Sequence, residues 1–300
     1  MPAHVRGDLV EQRIVEALPA SPDALITGWA ALRWLGGSWF HGLTAAGDPL
    51  PVPVTGAKTV RRRASVALTK ESWLQPAHRA EVDGLPITTA VRSVHFAMRY
   101  ATSLVAAVIV LDMAAYDDLV TVEEVRAFTG SAGPRTGVAL ARQACALASE
   151  SSWSPMETWL RLVWVLDAGF PPPLCNQPVF DPSGRLIGTP DLLDHEAGVA
   201  VEYDGPVHLD ARQRRRDRDR EEAFRSHGLE HVAVMAGDGR SEATVRRLRE
   251  ARRRARWEPA ATRAWTITAP PWWTSTTSVE SRRALSDADR ARLLTYRRAG

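Results

Sequence analysis

The stretch GTPDLLDHEAGVAVEYDG, residues 188–205, decides how this chain is read. It has the pattern of a strand, a turn and a strand. A turn centred on Glu196-Ala197 places Asp191 opposite Glu202 and Thr189 opposite Asp204. Directly opposed residues share one face of a sheet, with Cβ atoms about 4.5–5.5 Å apart. Along the later strand Val199, Val201 and Tyr203 face one way, while Ala200, Glu202 and Asp204 face the other. The expectation is an apolar face packed into a core and a second face carrying three acids. Carboxylates that close repel and raise one another's pKa. A divalent cation removes the repulsion. Mg²⁺ (or Mn²⁺) suits the donor set, since it takes oxygen ligands in octahedral geometry and keeps several waters. One or two carboxylates and a substrate phosphate would complete its shell. The plainer alternative is three solvated acids on an open sheet face.

Working outward, residues 151–256 have the order αβββαβα. Ser154 at the N-cap and Pro155 at the first helical position start a helix that runs through METWLRLVWVLDAGF and stops before Pro171. Strands are predicted at Gln177–Phe180, Arg185–Leu193, Val199–Asp204 and His231–Met235, and helices at Arg212–His227 and Ser241–Arg256. Asp181-Pro-Ser-Gly184 is a turn between the first two strands. Glu157 lies three residues after Ser154, so a capping box accounts for it; a role in the acid cluster is compatible with capping. His208 follows the third strand and either relays a proton or touches phosphate, or is an ordinary loop histidine. The first charged helix carries Arg214, Arg215 and Arg218 among interleaved acids, which suits either phosphate contacts or a salt-bridged solvated face. The last helix, with Arg252 and Arg253, is more purely basic and tracks phosphate better. No aromatic residue interleaves either run, so base stacking is not expected.

Residues 1–150 read as a separate mixed α and β unit. Asp23–Leu35 has helical apolar spacing. Short strands are predicted at Pro51–Val54 and Ser65–Leu68, with Arg61-Arg62-Arg63 between them. GLPITTAVRSVHFAMRY is a turn entering a helix. Leu104–Ala115 is an apolar helix, and Thr121–Phe128 opens with a Thr-x-x-Glu capping box. Residues 257–300 form a tail with Trp257, Trp265, Trp272 and Trp273 among Pro, Ser and Thr; it is either irregular or docked through those rings, and Ala284–Arg297 has helical character.

The 300 residues exceed one small core and suggest more than one domain. A hydrophobic content of 45% with 24% charged residues is that of an ordinary globular chain. The net charge of +3 excludes a polycation, although Lys58 and Lys70 are the only lysines and arginine supplies the remaining positive charge. Cys145 and Cys175 make no CxxC pair, which excludes a zinc site of the usual spacing. Two free thiols suit a reducing cytoplasm. No signal-peptide core opens the chain, and the longest apolar run, Leu104 to Met113, is about half of what a bilayer requires. A cytoplasmic protein with no membrane partner and no small-molecule cofactor is expected.

Taken as an ordered set, SPMETWLRL, GTPDLL, VEYDGPVH and RQRRRDRDREEAFRSHGLEHVAV resemble the Vsr-like nuclease domains, relatives of the very-short-patch repair endonucleases within the PD-(D/E)XK superfamily. The resemblance covers about a hundred residues. It implies that Asp191 is the principal metal ligand, that Glu202 stands at the (D/E) position, that Glu157 is the first-helix acid, and that His208 and the Arg215/Asp217 region border the site. The superfamily's lysine would fall at position 204, where this chain has Asp204. His208 or an arginine could replace it, Asp204 could hold a second metal, or activity could be lost. The run from Asp23 through VDGLPITTAVRSVHFAMRY to VTVEEVRAF resembles the AbiEi-type antitoxin architecture, although the first twenty residues are too short and irregular for that family's winged helix.

The resemblance implies a metal-dependent endonuclease acting on double-stranded DNA in repair, restriction or phage defence, with homodimerisation left open. Two other readings remain. One is an antitoxin-like DNA-binding regulator with a silent nuclease fold. The other is a toxin–antitoxin fusion whose first half restrains the second.

Overall fold

The computed structural model describes residues 9–18, 23–44, 46–56, 64–71, 73–205, 211–238 and 242–298, with the backbone alone for 211–217 and 298. Two units divide the chain, Met1–Glu150 and Ser151–Gly300, and each mixes helix and sheet. Residues 257–300 fall within the second unit. Among the described residues no helix is long and apolar enough to cross a membrane.

The first unit runs α1 (Val10–Ala17), β1 (Leu25–Ile26), α2 (Gly28–Trp34), β2 (Val52–Thr55), β3 (Val66–Thr69), β4 (Arg79–Val82), β5 (Leu85–Thr88), α3 (Ala90–Arg99), α4 (Leu104–Tyr116), α5 (Val122–Ser131) and α6 (Val138–Leu147). Its strands form one sheet in the order β3-β2-β1-β5-β4. The helix expected from Asp23 begins only at Gly28. Leu25 and Ile26 instead pair with Thr55 and Val54 as a strand. Gly28, at φ +56°, turns the chain out of the extended run, a conformation glycine adopts without strain. The Thr121 capping box is present in full: Thr121 Oγ1 accepts from the Glu124 N–H at 2.9 Å, and Glu124 Oε2 accepts from the Thr121 N–H at 2.6 Å. Arg61 to Arg63 lie outside the described residues. On α3, Arg92 and Arg99 share the buried carboxylate of Glu71. Burial, and then the charges of Arg99 and Arg92, push the neighbouring His95 down to about 3, so it is neutral.

The second unit runs α7 (Pro155–Leu162), β6 (Leu174–Cys175), β7 (Val179–Phe180), β8 (Leu186–Gly188), β9 (Leu192–Asp194), β10 (Val199–Asp204), α8 (Ala211–Ser226), β11 (Glu230–Met235), α9 (Glu242–Arg254), α10 (Val279–Arg283) and α11 (Asp287–Leu293). The helix expected through Gly169–Phe170 changes at Val163 into a π turn ending at Asp167. The strand expected over Arg185–Leu193 is two strands in two sheets: β8 pairs with β7, and β9 joins β10. Pro190 lies between them and has no N–H for a ladder. The main sheet has the order β11-β10-β9-β6, with β10 parallel to β11 and antiparallel to β9.

Val199 pairs with Asp194, Ala200 with Leu193 and Val201 with Leu192, the register of a turn centred on Glu196-Ala197. Asp194 Oδ1 accepts from the N–H groups of Glu196 and Ala197, and Gly198 at φ +79° closes the turn. Val199 and Val201 pack with Leu160 and Trp164 of the α7 segment and with Leu248 and Ala251 of α9. The acid-bearing face is not open along its length, as the plainer alternative would have it. Ala200 and Leu193 on that side are covered by Val179, Phe224, Leu229 and Trp265. The acids therefore sit at the rim of a second core. The tail builds part of it: Thr266 bridges to Phe180, and Arg263 donates to the carbonyls of His195 and Glu196.

Candidate active site

The carboxylates come from the first turn of α7, from the residue just before β9 and from within β10. Asp191 stands one step beyond the β9–β10 ladder. The ladder is continued there by a side chain, because the Tyr203 N–H donates to Asp191 Oδ2 at 2.7 Å. Burial, and then the nearby Glu157 charge, raise the Asp191 carboxyl well above its ordinary range; the Tyr203 hydrogen bond opposes this, and Glu202 adds to the rise.

Glu157 departs from the simple capping box. Ser154 Oγ accepts from the Glu157 N–H, as expected. The Glu157 carboxylate, however, accepts from the Trp153 N–H at 2.7 Å and from Asn176 Nδ2 at 2.6 Å. Asn176, at φ +45°, also donates its Nδ2 to the Ser151 carbonyl and its backbone N–H to the Asp191 carbonyl. It thus links the start of α7 to the segment that carries Asp191.

Glu202 is held at both oxygens. Arg220 of α8 donates to Oε1 at 2.9 Å, and Nε2 of His231, on β11, lies 2.9 Å from Oε2. Burial pushes the Glu202 carboxyl up, but the His231 hydrogen bond and the Arg220 charge outweigh it and leave it below its usual value. Phe224 stacks on the His231 ring with centroids 5.8 Å apart.

The other predicted residues divide. Asp204 follows at the same strand parity as Glu202 and is half-buried. Its expected partner Thr189 lies outside the ladder, because the chain leaves β9 at Pro190. His208 lies outside the described residues, as do the side chains of Arg214 and Arg215. Arg218 is exposed on α8 and Arg253 on α9. Arg252 is tied down: its Nε donates to the buried Asp194 at 2.7 Å, and its guanidinium lies over Phe170 and Trp257. Its geometry is that of a structural ion pair. Moreover, α9 packs on the Val199/Val201 face of β10, opposite the parity of Glu202.

His231, Arg220 and Asn176 were not singled out from sequence. The signal for His231 lay in strand parity: Val232 and Val234 face the core, which sends His231 to the Glu202 side. Arg220 was one arginine among many, and Asn176 gave no local sign.

Among the described residues no three of His, Cys, Asp or Glu cage an ion by themselves. Mg²⁺ held by one or two carboxylates with waters and phosphate requires no such cage. The oxygen donors of Asp191 and Glu202 fit a divalent cation, and each Glu202 oxygen keeps a lone pair beyond its present bond. Comparison with family models, curated proteins and solved structures finds no match for the chain.

Proposed function

We propose that the second unit is a Mg²⁺-dependent DNA endonuclease of the PD-(D/E)XK type. The observation that carries this reading is the placement of Asp191 beside Glu157 and Glu202, with each carboxylate held by partners of its own. Asp191 and Glu202 would hold the metal, which when bound polarises a phosphodiester and acidifies a water. The protein's part is preorganisation. Tyr203 fixes Asp191, Asn176 and Trp153 fix Glu157, and Arg220 with His231 fixes Glu202. Arg220 brings a permanent positive charge to an acid cluster whose position 204 lacks the lysine of the superfamily. An arginine keeps its proton, so it stabilises negative charge and does not act as the base.

The second reading is a DNA-binding regulator with a silent nuclease fold. The engagement of both Glu202 oxygens favours it. The antitoxin likeness of the first unit belongs with this reading and rests on its sequence motifs. Purified full-length protein with supercoiled plasmid, with and without Mg²⁺ or Mn²⁺, decides. Metal-dependent nicking that is lost in Asp191→Ala and Glu202→Gln, with duplex binding retained, supports the enzyme. A mobility shift without cutting under every metal condition supports the regulator and overturns the nuclease.

A further inference from the structure

On the far side of the sheet from Glu202, a groove of about 970 Å³ runs along α9. Its lining includes Phe170, Val245, Arg246, Arg249, Arg253 and Trp257. Arg246, Arg249 and Arg253 fall at i, i+3 and i+7, one helical face over about 10 Å of rise. One strand of a B-form duplex carries roughly three phosphates over that length, and an extended single strand somewhat fewer. Arg246, Arg249 and Arg253 are exposed, and Arg249 donates to the carbonyls of Asp167 and Ala168. The full lining holds four arginines against the two acids Asp167 and Glu242; Asp194, outside it, balances Arg252.

Trp257 lines the groove just beyond the C-terminal end of α9. Its φ of +54° is a left-handed conformation that bulky residues rarely adopt. The Trp257 N–H bonds to the Ala197 carbonyl and its indole N–H to the Arg252 carbonyl. The Arg252 guanidinium lies 4.5 Å from the ring centroid and backs one face, yet Trp257 remains 47% exposed. A large aromatic ring is thus held by strained backbone and a partly buried ion pair while much of its surface stays open. Such outliers cluster at functional sites.

We propose that this groove binds single-stranded DNA, with a base stacked on Trp257 and phosphates along Arg246, Arg249 and Arg253. A row of cations beside an exposed flat ring is the combination that single-strand binders use. A duplex keeps its bases stacked on one another and leaves the ring without a partner. An amphipathic protein helix would need an apolar stripe, where the groove offers only Phe170 and Val245 beside its arginines and Trp257. Because the groove and the carboxylates lie on opposite sheet faces, this strand is not the one held at Asp191, and the proposal does not depend on the nuclease reading.

Fluorescence anisotropy of the full-length protein with a labelled oligothymidylate of ~15 nucleotides tests it, with a duplex of the same length as comparison. Trp257→Ala is expected to weaken single-strand binding about tenfold and duplex binding far less. Trp257→Phe keeps a flat ring and restores most of the loss. Arg253→Ala, a surface change, weakens single-strand binding and lowers its salt dependence by about one counterion. Asp191→Asn leaves it unchanged, which separates this site from the carboxylates. Unaltered single-strand affinity in Trp257→Ala and Arg253→Ala overturns the proposal. So does an equal loss for duplex and single strand, which assigns the groove to duplex backbone.

Discussion

Replacing Asp191 with asparagine should stabilise the metal-free protein at neutral pH. Ionising this carboxyl is costly because it is buried beside Glu157 and Glu202, and asparagine keeps an oxygen to accept the Tyr203 N–H. Opposed strand residues have Cβ atoms about 5 Å apart, and two charges at about that separation repel by about 3 kcal/mol at an effective dielectric of ~20. Arg220 offsets part of this at Asp191. The expected net gain is about 1–2 kcal/mol, or about 2–8 °C in melting temperature for a unit of this size. The folded-state pKa of Asp191 lies above its ordinary value of 3.8, so the folded protein holds this proton more tightly than the unfolded chain. The stability tied to that proton is fully present below the unfolded value and is lost as pH rises through the raised folded value. Asparagine does not titrate. The variant's advantage should therefore be absent in acid and open as pH rises. Thermal unfolding of both proteins in EDTA from about pH 4 to about pH 8 measures it. Adding Mg²⁺ should then reverse the order, since a cation at a hundredfold excess over its Kd adds about 2.7 kcal/mol to wild type and little to the variant. An asparagine variant that melts lower at neutral pH, or by the same margin at every pH, refutes the electrostatic picture of this site.

Glu71→Gln in the first unit should cost about 3–5 kcal/mol, because it leaves Arg92 and Arg99 as buried cations without their shared carboxylate. Urea titration reads this, and a loss below about 1 kcal/mol would mean that the arginines find other compensation. Trp265→Ala should cost about 3–5 kcal/mol, because the ring closes the second core over Leu193 and Ala200. An unchanged urea midpoint would detach residues 257–300 from that core.

What could be read in advance followed from local rules. The β9–β10 register was legible because the turn residues and the two-residue alternation act over fewer than twenty positions. The Thr121 box was legible for the same reason. The site's partners were not, since they arrive over long sequence distances. Arg220 reaches Glu202 across 18 residues and His231 across 29, and Arg252 reaches Asp194 across 58. A run of arginines looks alike on paper whether a given side chain meets phosphate, a buried carboxylate or an indole ring. The break at Pro190 was visible as a residue, but its effect depended on β7 being available to take up β8. Base stacking was discounted because no aromatic interleaves the arginine runs. The fold supplies Phe170 and Trp257 from either side of the sequence instead.

Strand β10 connects these features, because its alternation sends chemistry to one face and packing to the other. Ala200 and Glu202 meet α8 and His231, while Val199 and Val201 meet α7 and α9. A slip of one residue against β9 would exchange the faces, placing Glu202 in the valine core and Val201 at the carboxylates. The turn resists that slip through Asp194. Its Oδ1 holds the N–H groups of Glu196 and Ala197, and its Oδ2 takes Arg252 from α9. Arg252 therefore acts on the acid cluster without touching it. By anchoring Asp194 it fixes the register that sets Glu202 one step past the ladder, beside Asp191, and by backing Trp257 it shapes the groove on the opposite face. Loss of this one ion pair should disturb both sites together, whereas changes at Arg253 or Arg220 should each reach only one.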